Sequence, residues 1–493
     1  MTKKLYITTA IPYVNGKPHI GNALDYLYAD IWKRYQEQQG NQVRFQVGTD
    51  EHGNKIAAKA AELGITPQAY TDQTYGNFEQ MARKVGAECT DFIRTTSPQH
   101  QAAVQYVWQK LQPYIYKSTY TGWYCQGCEA FITDKEAEVN GGVCPDHNQS
   151  YQRLEEENYY LKASVFTEQI RTALEQGQME ILPEFRKKEF LELIKDGVQD
   201  VSISRPRKNL SWGVPVPGDD TQIMYVWLDA LANYITVLGY PNNLEWQEYW
   251  PADVQVIGKD ILRFHSGIWP AMLLGLGLEL PKKLLVHGHI SVDGAKMSKT
   301  VGNVVDPNDV IDNFGLDAFR YFFARHIPTQ DDGDFTWDKF ENAYNAELGN
   351  DLGNLVQRVA SMLSRYQAGV IGEVTTGEHD IRRYHVAMEA LEYNKALEEV
   401  WISVRAANKY IEDVKPWEVA KKAKEEPDAA EHLAEILQNL VGTLLQVSEL
   451  LRPLLPDTAA KIHATFAEGI VKEQGILFPK LYIHTEDPRA KKQ

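Results

Sequence analysis

Cys125, Cys128, Cys144 and His147 fall in the pattern Cys-x2-Cys-x15-Cys-x2-His. Two chelating pairs offer three thiolates and one imidazole, the donor set and spacing of tetrahedral zinc. Four protein ligands leave no open coordination position, so the expected site is structural. The chain has only four cysteines. The fourth, Cys89, lies outside the pattern and reads as a small core residue.

A second group is Pro18-His19-Ile20-Gly21-Asn22. Neither GxxxxGK[ST] nor GxGxxG occurs, so the common phosphate-cradling loops are missing. The segment stands between an expected strand and a long expected helix. A helix start offers unpaired N–H groups and partial positive charge to an anion. Gly21 permits close approach of a nucleotide, and His19 and Asn22 can donate to phosphate oxygens. Taken alone, the same residues also fit an ordinary helix start with a satisfied histidine. A third group is Lys296-Met297-Ser298-Lys299-Thr300. Its two lysines, three apart in a polar loop, can reach a polyphosphate as mobile point charges. A solvated surface loop has the same composition.

The elements that must position these groups alternate. Lys4–Ala10 and Val43–Val47 read as strands. Gly21–Gln39 reads as a helix stopped by Gly40, and another helix runs from Gly53 to Gly64. Alternation of this kind predicts a parallel sheet with helices on its faces. Residues 120–150 lose helical periodicity and look like a metal-organised insertion. The α/β pattern resumes with strands at Val254–Ile257 and Leu284–His287. Beyond residue 341 the chain is expected to be a helix bundle, with amphipathic stretches at 341–367, 380–413 and 430–452. The expected fold is a doubly wound α/β catalytic domain in two halves, 1–117 and 220–290. A zinc-bearing connective insertion, 118–219, interrupts it. The KMSKT loop region, 291–340, and a helical domain, 341–493, follow.

Composition restrains the partners. Hydrophobic residues at 43% and charged residues at 24% are ordinary for a globular protein. No run approaches the roughly 18 apolar residues that span a membrane, and the N-terminus is too polar for a signal peptide. The expected location is the cytoplasm. The net charge of -16 argues against a nucleic-acid partner, but a local basic face is compatible with it. Arg186, Lys187, Lys188, Lys195, Arg205, Arg207 and Lys208 supply either such a face or a solvated surface.

HIGN after the first strand, paired with KMSKT far downstream, resembles the double signature of class I aminoacyl-tRNA synthetases. Each motif departs from the HIGH and KMSKS patterns at its last residue, and each replacement keeps a hydrogen-bonding side chain. The resemblance covers nearly the whole chain and is to the methionyl-tRNA synthetase family. It is carried by AIPYVNGKPHIGN at 10–22, GTDEHG at 48–53, LSWGVPVP at 210–217, YVWLDAL at 225–231, GKDILRFHSGIWPAML at 258–273 and HGHISVDGAKMSKTVGN at 287–303.

That resemblance implies ATP-dependent ligation of methionine to tRNA(Met), the initiator included, through a methionyl-adenylate. It implies ATP contacts from His19, Gly21, Asn22, Lys296, Ser298 and Lys299, with Mg2+ accompanying ATP. Asp50 would hold the ammonium of methionine. Ile11, Tyr13, Trp227, Ala230, Tyr234, Ile261 and His265 would line the side-chain pocket, with Tyr13 and His265 giving polar tips toward the thioether. Asn354, Arg358 and Trp417 would meet the anticodon. A monomer is expected, since no appended dimerisation domain is recognisable after FPKLYIHTEDP.

Two other readings compete. An isoleucine, leucine or valine enzyme would need a far larger editing insertion than 118–220 allows, and a cysteine enzyme would place zinc in its amino-acid pocket. A non-catalytic zinc-containing RNA-binding protein would have no use for both phosphate motifs together.

Overall fold

The computed structural model describes residues 2–126, 130–145, 148–297, 305–374, 380–472 and 475–481. Six strands form the central sheet: β1 (Lys4–Thr9), β2 (Gln42–Thr49), β3 (Asp91–Arg94), β4 (Glu180–Leu182), β5 (Val254–Gly258) and β6 (Lys283–His287). Their order is β3-β2-β1-β5-β6-β4, and every neighbouring pair is parallel. β1 is buried from Leu5 to Thr9 and β5 from Val254 to Ile257, as strands covered on both faces must be. The order reverses between β1 and β5, which opens a crevice at their carboxyl ends where a doubly wound sheet takes its ligand.

Helix α1 (Ile20–Gln38) leads out of that crevice and is buried on most of its circumference. A helix that is enclosed on all sides has protein on both flanks. The sheet covers one side. On the other, the Tyr393 hydroxyl donates to Tyr28 O at 2.9 Å and Tyr35 meets His385 at 2.9 Å. Asp30, at the middle of α1, pairs with Arg320 at 2.7 Å, with both side chains fully buried. The same guanidinium donates to Val85 O, Pro453 O and Leu454 O at 3.1, 2.9 and 2.8 Å. One cation thus joins the sheet layer to the end of the helical bundle.

In the insertion, Ile115–Cys125 pairs antiparallel with Gln152–Leu161. A short helix, Asp134–Val139, lies where no helix was expected. Thr133 and Glu136 close a reciprocal capping box at its start, a signal readable from their spacing. The basic stretch does not make one face. Arg186, Lys187 and Lys195 pair with Glu189, Glu184 and Glu192 one turn away. Arg205 is buried, donating to Ser202 Oγ at 2.6 Å and Ser204 O at 2.8 Å.

The bundle departs from the expected helices in two places. Residues Ala343–Gly353 wind as a π-helix before Asn354–Gln367 becomes α-helical. The stretch expected as one helix at 380–413 is two, Arg382–Glu389 and Tyr393–Val414, parted where Leu391 adopts φ 58°. The apolar period resumes after the break, which hides it from a periodicity reading. A long helix, Pro427–Leu451, packs along the second of these, Tyr393–Val414.

Replacing Arg320 with leucine should strand the Asp30 carboxylate in the core. Removing one partner of a buried pair costs about 3–5 kcal/mol, so the urea midpoint should fall accordingly. Arg320→Lys should recover little of it, because one ammonium cannot reach four acceptors on two domains.

Candidate active site

At the end of β1 the chain turns into α1 through a cap built from its own motif. His19 Nδ1 accepts from the Gly21 amide at 3.1 Å, and Asn22 Oδ1 accepts from the His19 amide at 3.1 Å. Two of the amide groups that a helix start leaves over are thereby satisfied. With Nδ1 accepting, the imidazole proton sits on Nε2, and the Asn22 amide keeps its NH2 for donation. A Cβ on Gly21 would lie 3.0 Å from His19 Cε1, so glycine leaves room for the ring in its capping position.

Beyond β2, Asp50 is fixed through its backbone. It bridges Tyr13 in parallel register, its N–H donating to Pro12 O at 2.9 Å and its O accepting from Val14 N at 3.3 Å. Its neighbour Glu51 is buried and meets Arg94 with both oxygens, at 2.8 and 2.9 Å. Trp212 Nε1 donates to Glu51 O at 2.6 Å.

Trp227 and Tyr234 are seven residues apart, a spacing that would put them on one face of a single helix. The structure divides them between two short helices, α2 (Val226–Leu231) and α3 (Asn233–Thr236). Trp227 stacks on Phe264 with ring centroids 3.7 Å apart and planes 8° apart. The Tyr234 hydroxyl donates to His265 Nε2 at 2.7 Å, and His265 Nδ1 donates to Ile261 O at 3.1 Å. Phe264 and His265 begin a π-helical turn, Phe264–Ile268, a form frequent at functional sites. Both nitrogens of His265 are engaged within the protein, so it orients Tyr234 rather than offering a polar tip of its own. Burial pushes the His265 pKa down to about 4, and the ring is neutral in ordinary buffers. Tyr13 packs against the cluster of Val14, Ile56, Ala60, Tyr70 and Phe78.

Several charged groups at the same crevice were not singled out by the sequence. His287 Nε2 lies 2.9 Å from Asp25 on α1. Lys259, after β5, pairs with Asp332 at 2.6 Å, and the same carboxylate accepts from His289 N at 2.8 Å. Lys259, His287 and His289 fall within the motif stretches, but their partners Asp25 and Asp332 do not, and no local pattern encodes the pairings.

The KMSKT segment follows a hairpin. Ile290–Val292 pairs antiparallel with Ala295–Lys296 around Asp293 and Gly294, both at positive φ, the geometry that favours Asp-Gly. Asp334 clasps it, accepting from Gly294 N and Ser291 Oγ at 2.8 Å each. A hydrogen bond from Lys339, with these two, holds the Asp334 pKa down at about 2. Met297 packs on the core. Ser298 and Lys299 lie outside the described residues, as does the side chain of Lys296.

Of the expected zinc ligands, Cys125 and Cys144 are buried in one small cluster with Ala137 and Tyr151. Asn148 N donates to Cys144 O at 2.8 Å. Cys128 and His147 lie outside the described residues. Among the described residues no group of three or more ligating side chains converges. In the bundle, Arg358 and Trp417 line one cavity of about 250 Å³ together with Gln357, Ser361, Met362 and Tyr366. Asn354 is exposed one turn earlier on the same helix. Arg358 is held by Glu412 at 2.7 Å. Among the described residues no helix is long and apolar enough to cross a membrane.

Comparison with known proteins agrees with this geometry. The family profile for class I tRNA synthetases (M) matches residues 5–155 and 148–360, and that for the anticodon-binding domain of methionyl tRNA ligase matches 363–474. A methionine--tRNA ligase of Caldanaerobacter subterraneus subsp. tengcongensis is 38% identical over 519 residues, covering 99% of this chain and 80% of that one. One from Clostridium perfringens is 41% identical over 478 residues, covering 94% and 73%. The structure of Mycobacterium tuberculosis methionyl-tRNA synthetase in complex with methionyl-adenylate superposes with a TM-score of 0.89 at 33% identity, covering 97% of this chain and all of that one. A doubly wound sheet with a capped HIGN helix and a hairpin reaching Lys296 defines a class I aminoacyl-tRNA synthetase. Within that class the chain belongs to the methionyl-tRNA synthetase family.

The low pKa of His265 has a consequence for stability. Its folded value lies below the ordinary 6.5, so the unfolded chain binds the extra proton and stability is lost as pH falls from 6.5 toward 4. The full loss is on the order of 3 kcal/mol. His265→Gln should flatten that part of the urea-stability profile measured between about pH 7 and about pH 4.

Proposed function

We propose that this chain activates methionine with ATP and transfers it to tRNA(Met), the initiator included, in the cytoplasm. The observation that carries this reading is the convergence at one switch point of the α1 cap, the Asp50 loop and the Tyr234–His265–Ile261 trio. The methionine carboxylate attacks the α-phosphorus of ATP, forming the adenylate, and pyrophosphate leaves with the α–β bridging oxygen. No enzyme nucleophile is needed, and catalysis is positioning plus charge stabilisation. His19 Nε2–H and the Asn22 amide would donate to the triphosphate at the positive end of α1, with Gly21 beside them. Lys296 and Lys299 would close over the leaving pyrophosphate, with Ser298 adding a hydroxyl and Mg2+ entering with ATP. The Asp50 carboxylate would take the ammonium. Ile11, Tyr13, Trp227, Ala230, Tyr234 and Ile261 would wall the side chain, aromatic faces suiting a polarisable sulfur. His265 would fix the Tyr234 hydroxyl within that wall.

The insertion would hold one structural zinc through Cys125, Cys128, Cys144 and His147. The burial of two of these cysteines in one small cluster fits that donor set. When bound, zinc would supply folding energy to a hairpin too small to hold itself together.

Pyrophosphate exchange run with each amino acid separately tests the reading. Methionine should be preferred over leucine or isoleucine by about a hundredfold or more, at or beyond what shape alone gives. Preference for another amino acid would defeat the assignment.

The cavity of Arg358, Trp417 and Tyr366 would receive an unstacked anticodon base, with Asn354 at its approach. Stacking on an indole is worth ~1–3 kcal/mol. Trp417→Ala should therefore cut kcat/KM for tRNA charging by ~10–150-fold and leave methionine-dependent exchange nearly unchanged. Equal losses in both assays would make Trp417 a packing residue only.

A further inference from the structure

Behind the methionine site sits a buried cluster with no part in the chemistry above. Asp229 is 1% exposed and receives two imidazoles: His52 Nδ1 at 2.7 Å on one oxygen and His100 Nε2 at 2.9 Å on the other. His100 Nδ1 lies 2.7 Å from Thr236 Oγ1. Burial alone would raise the Asp229 pKa, but the two imidazole partners outweigh it and hold it near 2. The two imidazoles thus favour the carboxylate form of Asp229.

The carriers of these groups matter more than the groups. His52 is two residues from Asp50 in the loop after β2. Asp229 stands between Trp227 and Ala230 on α2. Thr236 follows Tyr234 on α3, and His100 belongs to the helix Pro98–Leu111. We propose that Asp229 is a positioning residue that sets the distance between the ammonium-binding carboxylate and the walls of the side-chain pocket, with His52 and His100 as its two tethers. A second, neutral brace runs alongside: Gln46 Nε2 donates to Asn233 Oδ1 at 2.9 Å, and Asn233 Nδ2 donates to Ala230 O at 2.6 Å. The carboxylate fixes the span of methionine from nitrogen to sulfur, a dimension that ATP does not share. This inference rests on the assignment of Asp50 and the Trp227–Tyr234 wall to methionine.

Tryptophan fluorescence titration of each substrate alone, on the full chain, tests it without reference to turnover. His52→Ala should raise the Kd for methionine by about tenfold or more, as loss of a charged buried hydrogen bond does, and leave that for ATP within about twofold. His52→Asn places an amide nitrogen about where Nδ1 stands and should restore most of the methionine affinity. His100→Ala should show the same split through the other oxygen. Asp50→Asn serves as the control: if it binds methionine like wild type, the site assignment itself fails. If Asp50→Asn loses methionine but His52→Ala and His100→Ala keep it, or weaken methionine and ATP by the same factor, the positioning role is overturned and the site assignment stands. Failure of His52→Asn to recover affinity would likewise overturn it.

Discussion

A fully buried ion pair between Asp30 and Arg320 fixes the frame on which the site is built. Isolated charges in a core are expensive, and such a pair is tolerated only where its remaining hydrogen-bonding capacity is also met. Here Glu88 N and Arg34 complete Asp30, and three carbonyls complete Arg320. Those partners come from α1, from the turn before β3, and from the loop that ends the long bundle helix. Their joint satisfaction ties these three pieces to one another. It places α1 with its start at the crevice and its far end under the bundle, and the remaining site elements follow from the sheet order around it.

The parts of the site legible in the sequence are those that satisfy themselves locally. The α1 cap is built from residues within one turn, so HIGN announces both the helix start and its donors. The Asp-Gly turn before KMSKT is likewise a local steric statement. Strands enclosed on both faces read as apolar runs, and their alternation with helices predicted the parallel sheet. The cysteine spacing predicts a metal knuckle because chelation needs short loops, and of its four residues Cys125 and Cys144 are described, buried in one cluster.

What the sequence concealed depends on distant partners or on breaks in phase. Nothing near Asp229 foretells that two histidines from other elements will converge on it. The inward turn of Arg205 cannot be told from a basic surface by counting charges, and the neighbouring lysines and arginine are offset by glutamates one turn away. Trp227 and Tyr234 are seven residues apart and so suggest one helix face, yet the chain changes helix between them. That change gives each ring its own partner, Phe264 for one and His265 for the other. The helix break at Leu391 leaves the apolar period nearly intact and is invisible to it.

The cap of α1 would set the capping role of His19 against its proposed role at the triphosphate in acid. As a neutral ring its Nδ1 accepts from the Gly21 amide. Protonation would strengthen its pull on a phosphate but turn Nδ1 into a donor facing another donor. The first turn of the helix would then lose a clasp just as the ring gained charge. A lysine in that place would carry charge with no lone pair for the amide, and a glutamine could accept but would lack the ring's rigidity. Imidazole, with one nitrogen of each kind, can hold the cap through a lone pair and still carry an N–H, and it does so only while it remains uncharged.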